Sequence, residues 1–381
     1  MMENPLKKLE SFGQSIWMDF ISRNVITSGQ LKRWIEEDGV SGMTSNPTIF
    51  EKAIAETRDY NAEIEDLVHK GKSSTEIYDA LTISDIQQAA DQFRPVFDRT
   101  NGADGFVSIE VNPYLATDTE STIKEARRLW QTVDRPNIYV KIPGTTQGLP
   151  AIQQMISEGV NINITLLFGI PRYEEVIEAY IAGLEERATM RLPLARVSSV
   201  ASFFLSRIDV LVDPLLANLS AHQNKETEAL ARSLQGEVAI ASAKLAYETF
   251  KKSVESERFQ KLAARGAQKQ RVLWASTSTK NPAYSDVKYV EPLIGPDTIN
   301  TVPIETVDAY RDHGNPAARI EDDLEHAHKV LDSLEYLKIN IDGVTQELED
   351  EGVEKFSFSY QKLMDRLEEK IRRQMQSPVR G

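Results

Sequence analysis

Eight short apolar segments, separated by stretches with helical spacing, constrain the fold of this chain more than any other feature. They lie at about residues 16–20, 40–43, 105–113, 137–144, 160–168, 194–200, 271–276 and 297–302. Strands that alternate with helices pair in parallel, and eight such units predict an α/β fold, a closed parallel (β/α)8 TIM barrel with additional helices. An open doubly wound sheet is the alternative, although the chain has no G-x-G-x-x-G or phosphate-loop motif to support it.

The long connections shape the predicted domain organisation. We expect residues 1–381 to form a single domain with helical elaborations at about 203–265 and 320–376, since no linker or low-complexity tract divides the chain. The sixth strand is expected to end near Val200, so that Ser202–Arg207 begins the following helix. Near the amino terminus, Ser28 is expected to cap a helix that runs to Gly39.

Charge and composition exclude several classes of function. The chain has 44 Lys and Arg against 58 Asp and Glu, a net charge of −14, which argues against non-specific binding to nucleic acid or anionic membranes. The absence of cysteine excludes thiolate catalysis and cysteine-ligated metals. His326 and His328, two apart on a predicted helix, do not share a face, so no metal is predicted. Met1–Gln14 lacks an apolar signal core and no apolar run reaches about 18 residues. We therefore expect a cytoplasmic protein, either a monomer or a homodimer.

Lys141 lies in an otherwise apolar segment, Asn137–Gly144. Read as a strand, this segment places Ile138 and Val140 on one face and the lysine on the other. Burying a lysine cation is costly, so its position needs an explanation. One interpretation is a strand-end lysine whose ammonium reaches solvent or an ion pair. The other is a desolvated amine that forms a Schiff base with a carbonyl substrate.

The third and fifth strands also carry polar residues on one face only. These residues are Ser108, Glu110 and Asn112 on the third strand, and Asn161, Asn163 and Thr165 on the fifth. If the apolar faces pack on the helices, Glu110, Lys141, Asn163 and Thr165 point into the barrel near the carboxyl ends of the strands, with Asp19 at the end of the first strand. The two carboxylates are then acid/base groups for Schiff-base chemistry, or only counter-charges to a protonated lysine.

Two polar segments are candidates for an anion subsite. Ser202–Arg207 follows the sixth strand, and Ser276–Lys280 follows the seventh, a region where barrels often bind phosphate. Arg207 could contact a phosphate, together with backbone N–H groups at the start of a helix. The alternative is that the Ser and Thr run is an ordinary loop and that Arg207 forms a surface salt bridge with Asp209.

The motifs described above resemble those of the transaldolase family. They are Thr44-Ser45-Asn46-Pro47, Val140-Lys141-Ile142-Pro143, Asn161–Phe168 and Ser202–Arg207, and the likeness extends over about residues 5–340. The resemblance implies a class I, metal-free Schiff-base mechanism on ketose phosphates, without a cofactor, in the non-oxidative pentose phosphate pathway. Its partners would be sugar phosphates, with no nucleic acid and no membrane.

The resemblance also implies roles for individual residues. Lys141 is the Schiff-base nucleophile, Asp19 takes the proton from the C4 hydroxyl, and Glu110 moves protons with a water near Thr165. The implied substrate-binding residues are Asn46, Asn163, Ser202 and Phe204, and the implied phosphate-binding residues are Arg207, Ser276 and Lys280. In shorter family members a Ser-Phe-Arg-Asn run stands where this chain has Ser276–Asn281, and the resemblance implies that Lys280 supplies the second cation in place of that arginine. Arg and Lys are not equivalent phosphate ligands, so the affinity for phosphate is expected to differ.

Two other functions remain open at this point. Fructose-6-phosphate aldolase shares the lysine but releases free dihydroxyacetone, and it carries Gln where Glu110 stands and Tyr where Phe204 stands. Both positions in this chain favour the transferase. The remote alternative is a non-catalytic barrel that binds sugar phosphates.

Overall fold

Eight parallel strands close into a barrel in the order in which they occur in the chain. The structure is a computed structural model and describes residues 4–222 and 224–376. The strands are β1 (Gln14–Met18), β2 (Val40–Met43), β3 (Val107–Glu110), β4 (Ile138–Pro143), β5 (Ile162–Leu167), β6 (Ser199–Phe204), β7 (Arg271–Ala275) and β8 (Thr298–Val302). Because β1 also pairs with β8, no strand has a free edge, and the predicted (β/α)8 barrel is confirmed.

Helices surround the barrel and extend beyond it. They are α1 (Pro5–Lys8), α2 (Arg23–Thr27), α3 (Gln30–Glu37), α4 (Pro47–Phe50), α5 (Asn61–His69), α6 (Ser74–Arg99), α7 (Thr119–Val133), α8 (Gly148–Glu158), α9 (Ile170–Thr189), α10 (Ser206–His222), α11 (Lys225–Leu234), α12 (Val238–Glu255), α13 (Glu257–Ala263), α14 (Ile304–His313), α15 (Leu324–Tyr336) and α16 (Ile341–Gln376). A π-helical turn, Glu51–Ala55, follows α4. Within residues 4–222 and 224–376, no helix is long and apolar enough to cross a membrane.

The sixth strand lies further along the chain than the sequence predicted. It pairs with β7 from Val200 opposite Arg271 to Phe204 opposite Ala275, so Ser202 and Phe204 belong to the strand. Ser206 and Arg207 lie on the following helix, in its first turn. Apolar and small residues continue without a break through this region because both faces of a barrel strand are covered, and the pattern therefore does not mark where the strand ends.

The predicted helix cap at Ser28 is also wrong. Ser28 instead ends α2, where its backbone N–H bonds the carbonyl oxygen of Asn24 at 2.9 Å. The residue that precedes α3 is Gly29, with a φ of 87°, a left-handed conformation that glycine adopts without strain. A short helix that the sequence did not predict, α2, therefore takes the segment before Ser28 and displaces the cap by one residue.

The amino-terminal end of the barrel is filled with aromatic rings and paired polar groups. Tyr139 stacks on Phe106 with ring centroids 4.3 Å apart and lies 6.0 Å from Trp17. The indole N–H of Trp17 donates to Oδ1 of Asp104 at 2.8 Å. A Cβ at Gly42 would lie 2.4 Å from the Trp17 ring, so only glycine leaves room for it. These contacts fill the interior of the barrel at its amino-terminal end.

The last helix, α16, crosses the carboxyl end of the barrel. It begins at Ile341, well before the predicted start at Phe356, and it contacts α4, the π-helical turn, α6 and α10. A Cβ at Gly352 would lie 2.9 Å from Cδ2 of Leu166, so this glycine allows the helix to approach β5 closely. Lys362 and Arg366 form ion pairs with the buried Glu51 at 3.1 and 2.8 Å. The helix therefore covers the end of the barrel where the predicted site residues lie.

Candidate active site

Lys141 lies inside the carboxyl end of the barrel, with 5% of its surface exposed. The register of the sheet places Glu110 of β3 on one side of it and Asn163 of β5 on the other. Its Nζ atom donates a hydrogen bond to the backbone oxygen of Ser45 at 3.0 Å and lies 3.3 Å from Oε2 of Glu110. The strand thus buries the amine beside a carboxylate instead of extending it to solvent.

A chain of hydrogen bonds fixes the amide of Asn163. Its Nδ2 donates to Oγ of Ser108 at 3.0 Å, and its Oδ1 accepts from the hydroxyl of Ser202 at 2.7 Å. All three side chains are buried, and they come from three different strands. Because both ends of the amide are bonded, its orientation beside Lys141 is set by the barrel itself.

Asp19 lies immediately after β1 and faces the same cavity as Lys141. The hydroxyl of Thr44 donates to its Oδ1 at 3.0 Å and lies 2.9 Å from the hydroxyl of Thr301. Burial raises the pKa of the Asp19 carboxyl, and the positive charge of Lys141 and the Thr44 hydrogen bond oppose that rise. Burial also raises the pKa of Glu110, against the charge and hydrogen bond of Lys141. Two carboxyl groups with raised pKa values therefore flank one amine.

Oε2 of Glu110 faces the amine of Lys141 at 3.3 Å. Oε1 of Glu110 and Oγ1 of Thr165 are buried and lack a hydrogen-bond partner in the part of the chain that the structure describes. Thr165 precedes Leu166, whose φ of 61° accompanies a break in the register between β5 and β6. Bulges of this kind redirect side chains next to functional sites. These two atoms are available to hydrogen-bond a bound molecule or a water.

The cavity at this end of the barrel has a volume of about 450 Å³. The predicted site residues on its wall are Asp19, Asn46, Lys141, Ser202, Phe204, Arg207, Ser276 and Lys280. Glu110, Asn163 and Thr165 lie beside Lys141 but do not form part of the wall. Asn46 caps α4, where its Oδ1 accepts from the backbone N–H of Ile49 at 2.9 Å, so its Nδ2 group is the part left for a ligand.

Two cations of the cavity wall, Arg207 and Lys280, come from the segments that follow β6 and β7. The Arg207 guanidinium carbon lies 5.5 Å from the ring centre of Phe204 and 6.0 Å from that of Phe356, and its Nη1 has no hydrogen-bond partner in the described chain. Burial lowers the pKa of Arg207. Lys280 and Arg207 both line the cavity, and their charges oppose the rise in the pKa of Asp19. Such an arrangement suits an anionic ligand.

The surface salt bridge considered for Arg207 does not form. Asp209 instead accepts hydrogen bonds from the hydroxyl of Tyr289 and the backbone N–H of Ala239, both at 2.8 Å. Ser276 has a φ of 53°, and its hydroxyl lies 2.9 Å from that of Ser206 at the start of α10. The loop after β7 and the first turn of α10 are therefore in direct contact.

Several residues on or near this cavity were not assigned a role from the sequence. Thr44 and Ser45 contact Asp19 and Lys141, and they belong to a motif whose neighbouring Asn46 was recognised. Phe356 lines the cavity from α16, 51 residues after Glu305, the wall residue that precedes it in the chain. No local pattern marks Phe356, because its place in the cavity depends on how the last helix crosses the barrel.

A larger cavity of about 720 Å³ lies at the opposite, amino-terminal end of the barrel. Its wall includes Phe106, Asn161 and Ser198. The amide of Asn161 is already bonded, since its Nδ2 donates to two backbone oxygens and its Oδ1 accepts from Ser198 N–H at 2.9 Å. Neither Lys141 nor Asp19 reaches this cavity, and we therefore place the candidate active site at the carboxyl end.

Comparison with known proteins supports the resemblance found in the sequence. Residues 16–367 match the family model described as transaldolase/fructose-6-phosphate aldolase. The chain is 49% identical to a protein named transaldolase from Trichodesmium erythraeum, over 98% of this chain and 99% of that protein. It is also 49% identical to transaldolase 2 from Nostoc punctiforme, over the full length of both. A transaldolase from Thiobacillus denitrificans is 45% identical over 95% of this chain and 99% of its own.

Proposed function

This chain belongs to the transaldolase/fructose-6-phosphate aldolase family, and we infer from this and from its site that it is a transaldolase. It is a transferase of the pentose phosphate pathway that acts through a lysine Schiff base. The donor is sedoheptulose 7-phosphate or fructose 6-phosphate, and a dihydroxyacetone unit passes to glyceraldehyde 3-phosphate or erythrose 4-phosphate. The observation that carries this assignment is the amine of Lys141, buried beside Glu110 and open to the cavity that Asp19 lines.

Schiff-base formation is the first step of the proposed reaction. The Nζ atom of Lys141 attacks the C2 carbonyl carbon of the ketose to give a carbinolamine. Glu110 supplies the proton with which the C2 hydroxyl leaves as water, and a carbon–nitrogen double bond forms. Thr165, whose hydroxyl is buried beside this point, holds the water used in the exchange. The raised pKa of Glu110 favours the protonated form that this step needs.

Cleavage follows once the iminium has formed. Asp19 takes the proton from the C4 hydroxyl, the C4–oxygen double bond forms, and the C3–C4 bond breaks. The electron pair of that bond moves toward the iminium nitrogen and gives an enamine, while the aldose phosphate leaves. Asn46, Asn163 and Ser202 hold the hydroxyl groups of the three-carbon unit, and Phe204 lines the same space. An acceptor aldehyde then reacts with the enamine by the reverse sequence.

The phosphate of donor and acceptor is assigned to the cationic end of the cavity. Arg207, Ser276 and Lys280 line it, and the unpartnered Nη1 of Arg207 offers a donor there. We extend the proposal to two further properties. The chain from 1 to 381 is a single barrel domain, and the protein is cytoplasmic, since its substrates are charged metabolites that do not cross membranes unaided.

Fructose-6-phosphate aldolase is the second candidate because the matched family model includes it by name. The two activities differ in whether the three-carbon unit stays bound to the lysine until an acceptor binds or leaves as free dihydroxyacetone. Glu110 and Phe204 are the positions at which this chain resembles transaldolases instead, and the relatives compared above carry the transaldolase name.

Consumption of fructose 6-phosphate with and without erythrose 4-phosphate tests the proposal. We expect turnover only with the acceptor, and formation of glyceraldehyde 3-phosphate and sedoheptulose 7-phosphate in equal amounts. Steady release of dihydroxyacetone without an acceptor would identify the aldolase instead. Absence of turnover under both conditions would support a barrel that only binds sugar phosphates.

A further inference from the structure

A partly buried polar cluster lies on the helix that carries Arg207, outside the cavity. Asp209 and Asp213 are four residues apart on α10 and therefore share a face of that helix. The hydroxyl of Tyr289 donates to Oδ2 of Asp209 at 2.8 Å, and that of Tyr284 donates to Oδ2 of Asp213 at 2.7 Å. Both tyrosines belong to the connection between β7 and β8. We refer to these four residues as the Asp–Tyr cluster.

A third segment of the chain is tied into the cluster. The backbone N–H of Gly236, between α11 and α12, donates to Oδ1 of Asp213 at 2.8 Å. Lys288 donates to the carbonyl oxygen of Gly236, and its Nζ lies 4.5 Å from the ring centre of Tyr284. Gly236 has a φ of 74°, and a Cβ there would lie 2.7 Å from Cζ of Tyr284. The tyrosine ring is therefore enclosed on several sides, and its hydroxyl has a fixed place.

The Asp–Tyr cluster joins the two segments that carry Arg207 and Lys280, two of the cations on the cavity wall. Arg207 lies on α10, two residues before Asp209, whereas Ser276 and Lys280 lie on the β7–β8 connection that also carries Tyr284. Arg207 and Lys280 have no backbone element in common, so their separation depends on how this connection is held against α10.

Hydrogen bonds within the connection link Lys280 to the cluster. The hydroxyl of Thr279 donates to the backbone oxygen of Ser285 at 2.7 Å, and the backbone N–H of Tyr284 donates to the oxygen of Asn281 at 3.0 Å. Residues 279–285 therefore form a compact turn. A shift of Tyr284 away from Asp213 would move the whole turn, including Lys280.

We propose that the Asp–Tyr cluster positions the phosphate subsite, by holding the Lys280 turn against α10 so that Lys280 and Arg207 act on one phosphate. This inference rests on the proposed function, which supplies the phosphorylated substrate. Tyr284 and Tyr289 are positioning residues, since neither lies on the cavity wall. Phosphate recognition by two groups on separate segments depends on their spacing, because each hydrogen bond to phosphate acts only over a short distance.

Tyr284→Phe and Tyr289→Phe test the proposal because each removes one hydroxyl and keeps the ring. Tyr180→Phe is the matched control, since that buried hydroxyl donates to the backbone oxygen of Gln268 at 2.8 Å, at the other end of the barrel. The measurements are the dissociation constant for inorganic phosphate, and kcat and KM with glyceraldehyde 3-phosphate and with unphosphorylated glyceraldehyde as acceptors.

We expect both cluster variants to bind phosphate about fivefold or more weakly and to raise KM for glyceraldehyde 3-phosphate similarly. The kcat, and the KM for glyceraldehyde, should stay within about twofold of the parent protein, and Tyr180→Phe should change neither acceptor's KM. If the cluster variants lose thermal stability but keep their affinity for phosphate, the cluster is only structural and the proposal is wrong. An equal rise in KM for glyceraldehyde 3-phosphate and for glyceraldehyde would also overturn the proposal.

The two proposals fail in different ways. Turnover by the parent protein tests the transaldolase function, whereas the phosphate dissociation constant requires no turnover and tests the Asp–Tyr cluster directly. A parent protein that turns over but binds inorganic phosphate no better than its Tyr284→Phe variant would contradict the cluster's role and leave the transaldolase function intact.

Discussion

At the scale of single residues, burial alone does not select the nucleophile. Lys244 on α12 is also buried, with 8% of its surface exposed, and burial lowers its pKa. Its Nζ donates to the backbone oxygens of Arg319 and Asp322, however, and Lys244 does not line the cavity of the candidate site. Lys141 differs because its amine is both buried and open to a cavity that a second carboxylate lines.

Borohydride reduction in the presence of fructose 6-phosphate should therefore modify Lys141. We expect the adduct in the parent protein and in Lys244→Met, and its complete loss in Lys141→Met, because the amine of Lys141 lies in the cavity beside Glu110, the carboxyl group proposed to move protons in Schiff-base formation. The modified peptide is identified by mass spectrometry. An adduct on any other lysine in the Lys141→Met protein would contradict the assignment.

The pH dependence of activity should report on Asp19. If Asp19 accepts a proton in the cleavage step, it must be ionised, and its raised pKa places the acid limb of the kcat/KM profile above the range of an ordinary Asp. Thr44→Val removes the hydrogen bond that lowers this pKa. The pKa of Asp19 then rises further, so we expect activity to be lost at a higher pH as the pH falls.

Thr277→Val is the control for this profile. The hydroxyl of Thr277 also lies in the cavity region, but it donates to the backbone oxygen of Thr301 at 2.7 Å instead of contacting Asp19. The acid limb of the kcat/KM profile of Thr277→Val should coincide with that of the parent protein. Coincident profiles for Thr44→Val and the parent protein would mean that Asp19 is not the group whose ionisation limits the rate.

At the scale of elements, one buried carboxylate connects α16 to the mouth of the barrel that this helix covers. Glu51, in the π-helical turn after α4, is 3% exposed and pairs with Lys362 and Arg366 of α16. The π-helical turn directly follows the segment with Asn46, and it carries Lys52, another residue on the cavity wall. The position of α16 is thus tied to a wall of the candidate site.

Glu51→Gln should loosen α16 without unfolding the barrel. Lys362 and Arg366 remain about two-fifths exposed, so solvent screens the lost attraction and we expect a loss of about 1 kcal/mol or less in the free energy of unfolding. Amide hydrogen exchange in α16 should become faster. Glu56→Gln is the control, since Glu56 pairs with the same arginine at 3.3 Å but is exposed, and it should leave the exchange unchanged.

The bounds of some helices and strands are marked by the local sequence, whereas the bounds of others depend on tertiary packing. Helices with one solvated face, such as Thr119–Val133 and Gly148–Glu158, have the predicted bounds because polar residues mark their outer face. The sixth strand was displaced because both of its faces are covered and no alternation marks its ends. The early start of α16 was missed since Gly343 and Gly352 interrupt its pattern, and their use becomes clear only through packing on other elements.

The residues of the candidate site divide in the same way, into those that the local sequence predicts and those that tertiary packing decides. Glu110, Lys141, Asn163 and Thr165 could be brought together from the sequence because alternation along a strand fixes the face on which a side chain lies. Phe356 and the Asp–Tyr cluster could not, because they depend on how long connections fold back over the barrel. Local patterning thus predicts the inner residues of the barrel, and tertiary packing decides the residues that surround its mouth.

At the scale of the whole molecule, the two ends of the barrel have separate tasks. The amino-terminal end holds Asp104, which is 7% exposed and accepts from Trp17, Ser41 and the N–H of Gly105 at 2.8, 2.9 and 3.0 Å. Arg271 of β7 lies 3.8 Å from the same carboxylate. This one side chain therefore connects the first, second and seventh strands at the end of the barrel opposite Lys141.

Asp104→Ala should lower stability and leave the chemistry unchanged. The substitution leaves the buried indole N–H of Trp17 without its acceptor, and an unpaired buried donor costs about 1–3 kcal/mol. It also removes the carboxylate that lies 3.8 Å from Arg271, whose guanidinium keeps its hydrogen bonds to Ser15 and to the backbone oxygens of Ala103 and Thr298. We expect urea unfolding at a lower concentration, whereas kcat and KM at temperatures well below the transition stay near those of the parent protein. Asp98→Ala, which removes an exposed partner of Arg94, is the control and should change stability by less than about 1 kcal/mol. A large fall in kcat of folded Asp104→Ala would mean that strain at the closed end of the barrel reaches Lys141, so that the two ends do not act independently.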